Sequence, residues 1–193
     1  ENTALVSMLY VNNEIGTISD VETVAAICKK NNIAIHSDLT QALGKIEIDV
    51  KRMGIDYASC SAHKIYGPKG IGAAFMKSDA YGIAPITAFM HGGEQEFGFR
   101  AGTHAVHNIV GFGKAAEIAL RDLKENEAHI KRLDDMLIAG ISSIDGIHTT
   151  VDVAKRLPGI VSLIVDKSDF HNERFIKKIS DEVALSTGSA CSA

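Results

Sequence analysis

The sequence predicts an α/β fold built on a mostly parallel sheet. Two short apolar segments flank a helical segment near the N-terminus, and polar residues follow each apolar segment. The composition, 46% hydrophobic with 17 glycines in 193 residues, suits a globular protein that buries a real core. Because a strand, helix and strand in succession form a right-handed crossover, we expect these strands to be parallel.

The first strand is predicted over residues 4–11, an almost uninterrupted apolar run that is too short for a buried helix. A polar turn, residues 12–17, follows at the C-terminal end of this strand, where open α/β sheets keep their ligand sites. Asn13 is therefore a candidate ligand contact. The alternative is that Asn12 and Asn13 supply only turn geometry.

Asp20 is the predicted N-cap of the following helix, because apolar residues recur after it at helical spacing: Val21, Val24, Ala25 and Cys28. This spacing places Cys28 in the core. Residues 33–38 form the second predicted strand, which Asp38 closes. A carboxylate at this position either caps the next turn or contacts a ligand, and the residue types leave both readings open.

Lys64 follows a third apolar segment, residues 56–60, and precedes a Gly-Pro turn that opens into a fourth, residues 70–76. This position predicts a lysine held between rigid elements in a partly dry pocket, where its neutral amine can attack a carbonyl. The alternative is a solvated loop lysine. The glycine-rich stretch 67–72 lacks the Gly-Lys-Ser/Thr ending of a nucleotide phosphate loop, so we assign it to turn geometry.

A long polar segment, residues 91–103, is of the kind that serves a site or an interface. Apolar residues then keep helical spacing over residues 104–144. We expect one long helix here, with Gly111 to Gly113 as the place for a break.

A new pattern follows residue 145, with a predicted strand at 160–165, a short helix at 172–180 and a strand at 183–186. It predicts the start of a second, smaller α/β domain. The chain thus divides into part of a large domain at 1–103, a long connecting helix at 104–144 and part of a small C-terminal domain at 145–193.

Charge and cysteine content exclude several classes of protein. The formal net charge is −4 with no Lys/Arg-rich run, which predicts no nucleic-acid partner and no membrane surface. Apolar runs are too short for a membrane span, so we expect a cytoplasmic protein, or an organelle protein without its targeting segment. The odd, widely spaced set Cys28, Cys60 and Cys191 fits neither a disulfide framework nor a CxxC metal site.

Five motifs occur together, in order: Asn13 in VNNEIG, Asp38 and Gln41 in HSDLTQ, Ser61, His63 and Lys64 in SAHKIYGPKG, Arg100 and Thr103 in RAGT, and Cys191 in STGSACSA. Their order and spacing resemble those of the NifS/IscS-like cysteine desulfurases, which are fold-type-I pyridoxal-phosphate enzymes. The resemblance runs over essentially all 193 residues. It implies that residues 1–103 belong to the cofactor-binding large domain.

The resemblance implies that Lys64 binds pyridoxal phosphate covalently and that Asp38 keeps the pyridine nitrogen protonated, so that the ring can accept electrons. It also implies that Gln41 hydrogen-bonds the ring hydroxyl and that Asn13 lies near the cofactor. Ser61 and His63 would contact the phosphate. In a homodimer, Thr103 would contact the phosphate bound by the partner subunit.

Cys191 carries the second half of the implied reaction. In the family, a loop thiolate attacks the sulfur of the L-cysteine substrate, and the products are alanine and an enzyme persulfide for a sulfur-acceptor or iron–sulfur scaffold protein. Cysteine suits this role because a thiolate is both a good nucleophile and a good sulfur carrier. Without the upstream motifs, Cys191 would read as a free cysteine in a frayed C-terminus.

The chain departs from the family pattern in two ways. Leu39 stands where the family more often has a small residue, and family members are about twice as long. The resemblance therefore implies a fragment that lacks N- and C-terminal parts and is inactive by itself. Two alternatives stay open: a related pyridoxal-phosphate lyase such as selenocysteine lyase, and a catalytically inactive fragment that acts as a scaffold.

Overall fold

The computed structural model describes residues 2–82 and 84–188 and divides them into two compact units. The first unit comprises the chain up to Tyr10 together with Asp20–Leu123. The second comprises Val11–Ser19 together with the chain from Lys124 onward. The second unit is therefore discontinuous in sequence, because its first segment precedes almost all of the first unit.

The first unit contains a four-stranded sheet in the order β1-β2-β3-β4, formed by Leu5–Leu9, Ala34–Asp38, Tyr57–Ser61 and Gly72–Met76. β1, β2 and β3 are parallel, whereas β4 is antiparallel to β3. The prediction of a mostly parallel α/β sheet is confirmed. Since Asp38 pairs with Leu9 on one side and Ser59 on the other, the carboxyl ends of the parallel strands share one edge.

Helix α1, Val21–Lys30, connects β1 to β2 and begins where the sequence predicts. The Asp20 side chain accepts a hydrogen bond from the Thr23 amide at 3.1 Å, which satisfies one of the free N–H groups of the first turn. Eight buried residues form the core between helix and sheet: Val21, Ala25, Cys28, Ile35, Leu39, Met53, Ile55 and Ala58. The prediction that Cys28 is a core residue is confirmed.

The long helical segment consists of two helices, α2 at Val106–Arg121 and α3 at Leu123–Ser142. The break lies at Asp122, so its predicted place at Gly111 to Gly113 is wrong. A Cβ on Gly111 would lie 2.6 Å from the Pro68 Cγ atom. This glycine thus allows α2 to pack closely against the turn after β3, and does not interrupt the helix.

The second unit contains most of α3, a two-stranded antiparallel sheet of β5 (Ile147–Thr149) and β6 (Leu163–Val165), and helix α4 (Asn172–Ile179). The predicted short helix is confirmed, and β6 is shorter than the predicted strand. The predicted strand at 183–186 is wrong, because β5 and β6 pair with each other and leave it no partner among the described residues. No helix in the described part of the chain is both long and apolar enough for a membrane span.

A buried ion pair joins α3 to the segment before β6. Arg156 donates to both carboxylate oxygens of Asp134, at 2.8 and 2.6 Å, and the Gly159 amide donates to the same carboxylate at 2.8 Å. The two side chains are 1% and 3% exposed. Burial alone would raise the pKa of Asp134, but the hydrogen bonds from Arg156 and Gly159 hold it below its ordinary value.

Ser37 on β2 is fully buried, and its hydroxyl has no hydrogen-bond partner among the described residues. Because a buried hydroxyl without a partner is costly, we expect Ser37→Ala to leave the free energy of unfolding unchanged or to raise it by up to about 1 kcal/mol, measured by urea denaturation. Ser59→Ala is the matched control. Its hydroxyl lies 3.0 Å from His36 Nε2, so its loss should cost about 1 kcal/mol. A cost at Ser37 as large as that at Ser59 would contradict the prediction.

Candidate active site

Asp38 is the last residue of β2, at the edge where the parallel strands end. Its Oδ1 atom accepts the Thr40 amide at 2.8 Å, and the Leu39 amide donates to the Ser59 carbonyl at 2.8 Å. The carboxylate therefore does stabilise the next turn, which is one of the two readings that the sequence left open. Its Oδ2 atom accepts no hydrogen bond from the described residues, so the carboxylate can still bind a ligand.

Lys64 lies in a 3-10 helix, Ala62–Ile65, that begins directly after β3. Ala62 and Ile65 take the buried positions of this helix, at 0% and 5% exposure, which leaves His63 and Lys64 exposed. The position after a strand is as predicted. The predicted partly dry pocket is not formed by the described residues alone: the Lys64 side chain is exposed to solvent, because Ala62 and Ile65 are the residues of this helix that face the interior.

The support for the Lys64 helix comes from close packing. A Cβ on Gly67 would lie 2.9 Å from the Ala62 Cβ and 3.3 Å from the Ala115 Cβ of α2, so a side chain at residue 67 would push the two elements apart. Tyr66 ends the short helix in a left-handed conformation with φ of 65°. The turn after Lys64 therefore holds its helix against α2, and the strand β4 follows as predicted.

The turn after Asp38 brings two further polar residues to this edge. Gln41 is 9% exposed, and its Oε1 atom accepts a hydrogen bond from Lys45 Nζ at 2.8 Å. Burial lowers the pKa of Lys45, and the charge of Lys64 lowers it further. Lys45 was not predicted from the sequence as a site residue, although its position four residues after Gln41 was a usable signal.

A row of polar side chains crosses the sheet next to this edge. His36 lies between two hydroxyl groups, with Nδ1 at 2.8 Å from Ser7 Oγ and Nε2 at 3.0 Å from Ser59 Oγ. His36 precedes Asp38 by two residues and so shares its face of β2. This row was not predicted either, although each of three apolar strands carries a polar residue in its interior.

Cys60 lies on β3 near the same edge. Burial raises the pKa of its thiol; a weak hydrogen bond to the Ala73 carbonyl opposes this shift, and the charge of Asp38 adds to it. Since the thiolate is the reactive form, a raised pKa makes Cys60 a poor nucleophile.

Three predicted site residues are not brought to this edge by any contact described for the chain. Thr103 is exposed in the first unit, after a loop in which the Gly102 amide donates to Gln95 Oε1 at 3.1 Å. Asn13 is exposed in the second unit, where the neighbouring Asn12 makes the turn by accepting two backbone amides. Cys191 lies outside the described residues.

The mostly parallel sheet, with Asp38, Gln41 and Lys64 after the carboxyl ends of its strands, matches the structures of the fold-type-I pyridoxal-phosphate enzymes. Residues 1–193 match the family described as Aminotransferase class-V, and the chain belongs to this family. Its desulfurase homologues depend on pyridoxal phosphate.

The chain is similar to the cysteine desulfurase IscS of Ruthia magnifica, with 41% identity over 191 residues that make up 99% of this chain and 46% of the relative. It is 44% identical to the mitochondrial cysteine desulfurase of Saccharomyces cerevisiae, over 98% of this chain and 37% of the relative. The chain thus spans about half the length, or less, of these curated relatives.

Two solved structures show the same fold. A NifS-like protein from Rickettsia africae superposes with a TM-score of 0.87 at 32% identity, over 97% of this chain and 51% of that one. The structure described as SspA in complex with cysteine superposes with a TM-score of 0.72 at 31% identity, over 98% and 51%. The predictions of the fold class and of the family are confirmed.

The residues at the sheet edge fit pyridoxal phosphate by their chemistry. Asp38 keeps Oδ2 available for a protonated ring nitrogen, and Ser61 makes no side-chain hydrogen bond to the helix that it precedes. His63 and Lys64, which follow Ser61 in the sequence, are exposed. A carboxylate, a free hydroxyl and an accessible amine are the groups that the ring nitrogen, the phosphate and the aldehyde of this cofactor require.

Proposed function

We propose that the whole protein carrying this chain is a cysteine desulfurase, which converts L-cysteine to L-alanine and transfers the sulfur to Cys191. The observation that supports this most strongly is the grouping of Asp38, Gln41 and Lys64 at one sheet edge, in a chain about 40% identical to cysteine desulfurases.

The residues of the sheet edge hold and orient the cofactor. Lys64 binds its aldehyde carbon, Asp38 its ring nitrogen, and Gln41 its ring hydroxyl. Ser61 and His63 bind the phosphate, and Asn13 lies near the cofactor. When bound, pyridoxal phosphate supplies an electron sink for the carbon atom next to the substrate amine.

Cys191 performs the sulfur transfer. Its thiolate attacks the sulfur atom of the substrate, an S–S bond forms, and the C–S bond of the substrate breaks. The substrate carbon takes up a proton and leaves as alanine, so that one cysteine and one thiol give one alanine and one persulfide. The other two cysteines suit this role poorly, because Cys28 is 3% exposed and the pKa of Cys60 is raised.

The substrate and the partners follow from the same proposal. A structural neighbour is described in complex with cysteine, which supports L-cysteine as the substrate. The persulfide passes to a sulfur-acceptor or iron–sulfur scaffold protein. Two copies form a homodimer in the cytoplasm, and the exposed Thr103 reaches the phosphate of the partner subunit. Residues 1–103 and 145–193 belong to the large and small domains, joined by the helical segment 104–144.

The test is a product analysis of the whole protein with added cofactor. We expect alanine to form from L-cysteine in equal amount to the sulfide released in the presence of a thiol reductant. Release of sulfide with pyruvate instead of alanine would contradict the proposal. Alanine formation from selenocysteine but not from cysteine would favour the selenocysteine lyase alternative.

Cys191→Ala in the whole protein should bind the cofactor and L-cysteine normally but form alanine at least about 100-fold more slowly, because the acceptor of the sulfur is lost. Cys60→Ala is the matched control and should keep its activity. The measurement is alanine formation together with the absorption spectrum after cysteine is added. Normal turnover by Cys191→Ala would indicate a lyase that uses no enzyme persulfide.

A further inference from the structure

We propose that Lys45 is a positioning residue of the cofactor site, which orients the Gln41 amide so that its Nε2 group donates to the ring hydroxyl oxygen of pyridoxal phosphate. This inference rests on the proposed function and extends it to a residue that does not itself touch the cofactor. In this inference Gln41 donates the hydrogen bond to the cofactor, and the Lys45 ammonium group determines that direction.

The contact between the two side chains is short and locally constrained. Lys45 Nζ donates to Gln41 Oε1 at 2.8 Å, across one turn of chain. Backbone hydrogen bonds hold that turn, from the Leu43 amide to the Leu39 carbonyl at 2.8 Å and from the Ile46 amide to the Ala42 carbonyl at 3.2 Å. Gln41 is 9% exposed, so its side chain has little room for another position.

The chemistry of the two groups determines how the amide is turned. A lysine ammonium has three donors and no acceptor, so the amide oxygen of Gln41 has to face it. The Nε2 group therefore points away from Lys45 and donates no hydrogen bond to the described residues. A ligand at this edge would meet an N–H donor, which suits a phenolic oxygen that carries negative charge.

The position of Lys45 is unfavourable for a lysine without a role. Its side chain is half-buried, no carboxylate pairs with it among the described residues, and its pKa is lowered by burial and by Lys64. An exposed position elsewhere on the turn would avoid both costs. Groups held in such surroundings near a cleft are candidates for functional sites.

The backbone also keeps this turn against the helix that carries Lys64. Gly44 has φ of +70°, and a Cβ there would lie 2.8 Å from Ile65 Cγ2 and 3.0 Å from Ala119 Cβ. Since no larger residue fits, the turn of Gln41 and Lys45 packs directly on the end of the Lys64 helix. The backbone segments that carry Gln41 and Lys64 are thus held at a fixed separation.

The test is a double-mutant cycle on cofactor affinity in the whole protein, measured by the absorbance of the bound cofactor. We expect Lys45→Met to weaken pyridoxal phosphate binding about 10-fold and Gln41→Ala to weaken it by a similar factor. The double variant should bind no more weakly than Gln41→Ala alone, since Lys45 acts through Gln41. Lys45→Arg should restore most of the affinity, because a guanidinium also donates to the amide oxygen.

Lys69→Met is the matched control, since Lys69 is an exposed lysine of the turn after Lys64, and it should bind the cofactor normally. Suppose that the unsubstituted protein binds the cofactor at Lys64. Unchanged affinity in Lys45→Met, or additive losses of affinity in the double variant, would then overturn the role of Lys45 but leave the proposed function intact. Failure of the unsubstituted protein to bind it would overturn the proposed function and this inference together. Thermal unfolding of each variant separates loss of binding from loss of fold.

Discussion

Lys64→Ala in the whole protein is expected to lower the rate of alanine formation from L-cysteine by at least about 10,000-fold, the largest effect on activity of any substitution proposed for this chain. The reason is that, in the proposed function, this amine provides the covalent link to the cofactor, and no neighbouring lysine occupies an equivalent position. Lys45 is engaged with Gln41, and Lys69 lies in the turn that follows the Lys64 helix. The measurement is alanine formation at saturating cysteine and cofactor.

Borohydride reduction followed by peptide mapping identifies the lysine directly. The reduced cofactor should label the peptide that contains Lys64, and Lys69→Ala should leave both the label and the activity unchanged. A label on Lys69 or Lys45 in the unsubstituted protein would show that the reactive amine has been assigned to the wrong residue.

The largest effect on stability is expected from Asp134→Ala, which should lower the free energy of unfolding by about 3–5 kcal/mol. The substitution leaves the Arg156 guanidinium, 1% exposed, without its carboxylate and leaves the Gly159 amide without its acceptor. Urea denaturation of the full chain measures the change. The double variant Asp134→Leu with Arg156→Met should recover much of the loss, because it removes the unpaired charge as well.

Asp135→Ala is the matched control, one residue along the same helix. Its carboxylate pairs with Lys131 at 2.7 Å, but both side chains are more than half exposed, so the change should stay within about 0.5 kcal/mol. Equal losses at residues 134 and 135 would show that the buried ion pair contributes nothing beyond helix propensity.

The lowered pKa of Asp134 gives this contribution a defined pH dependence. Between the lowered pKa of folded Asp134 and its ordinary pKa in the unfolded chain, the folded state binds fewer protons than the unfolded state. The stabilisation is therefore complete above about pH 4 and is lost as the pH falls through the lowered pKa. The difference in the free energy of unfolding between Asp134→Ala and the unsubstituted protein should therefore become smaller as the pH falls below about 4.

Local signals predicted most of the first unit. Asp20 could be assigned as a cap because its side-chain chemistry acts within three residues, and the strands could be located because each is a short apolar run. The break between α2 and α3 could not be placed, since Gly111 is explained by Pro68, more than 40 residues upstream. The strand predicted at 183–186 does not form because no strand of the described residues is left to pair with it, and the sequence of the segment itself does not show this.

In the candidate site, too, features set by the local sequence could be predicted, whereas features set by distant contacts could not. Asp38 and Lys64 could be found from the sequence because each directly follows a strand. The exposure of Lys64 could not, because it depends on which residues of a short helix face α2. Lys45 and His36 were missed for a similar reason: their roles come from contacts with Gln41, Ser7 and Ser59, which become visible only when the side chains are placed.

The discontinuous second unit has a consequence for the order in which the chain is synthesised. The Thr17 backbone pairs with Arg156, and the Leu157 amide donates to the Gly16 carbonyl at 2.8 Å. The segment Val11–Ser19 therefore leaves the ribosome early but cannot make these pairings until the residues around Arg156 emerge. Meanwhile β1, α1 and β2 already have their partners. Co-translational folding can thus form the sheet before the segment Val11–Ser19, which connects β1 to α1, meets its pairing partners.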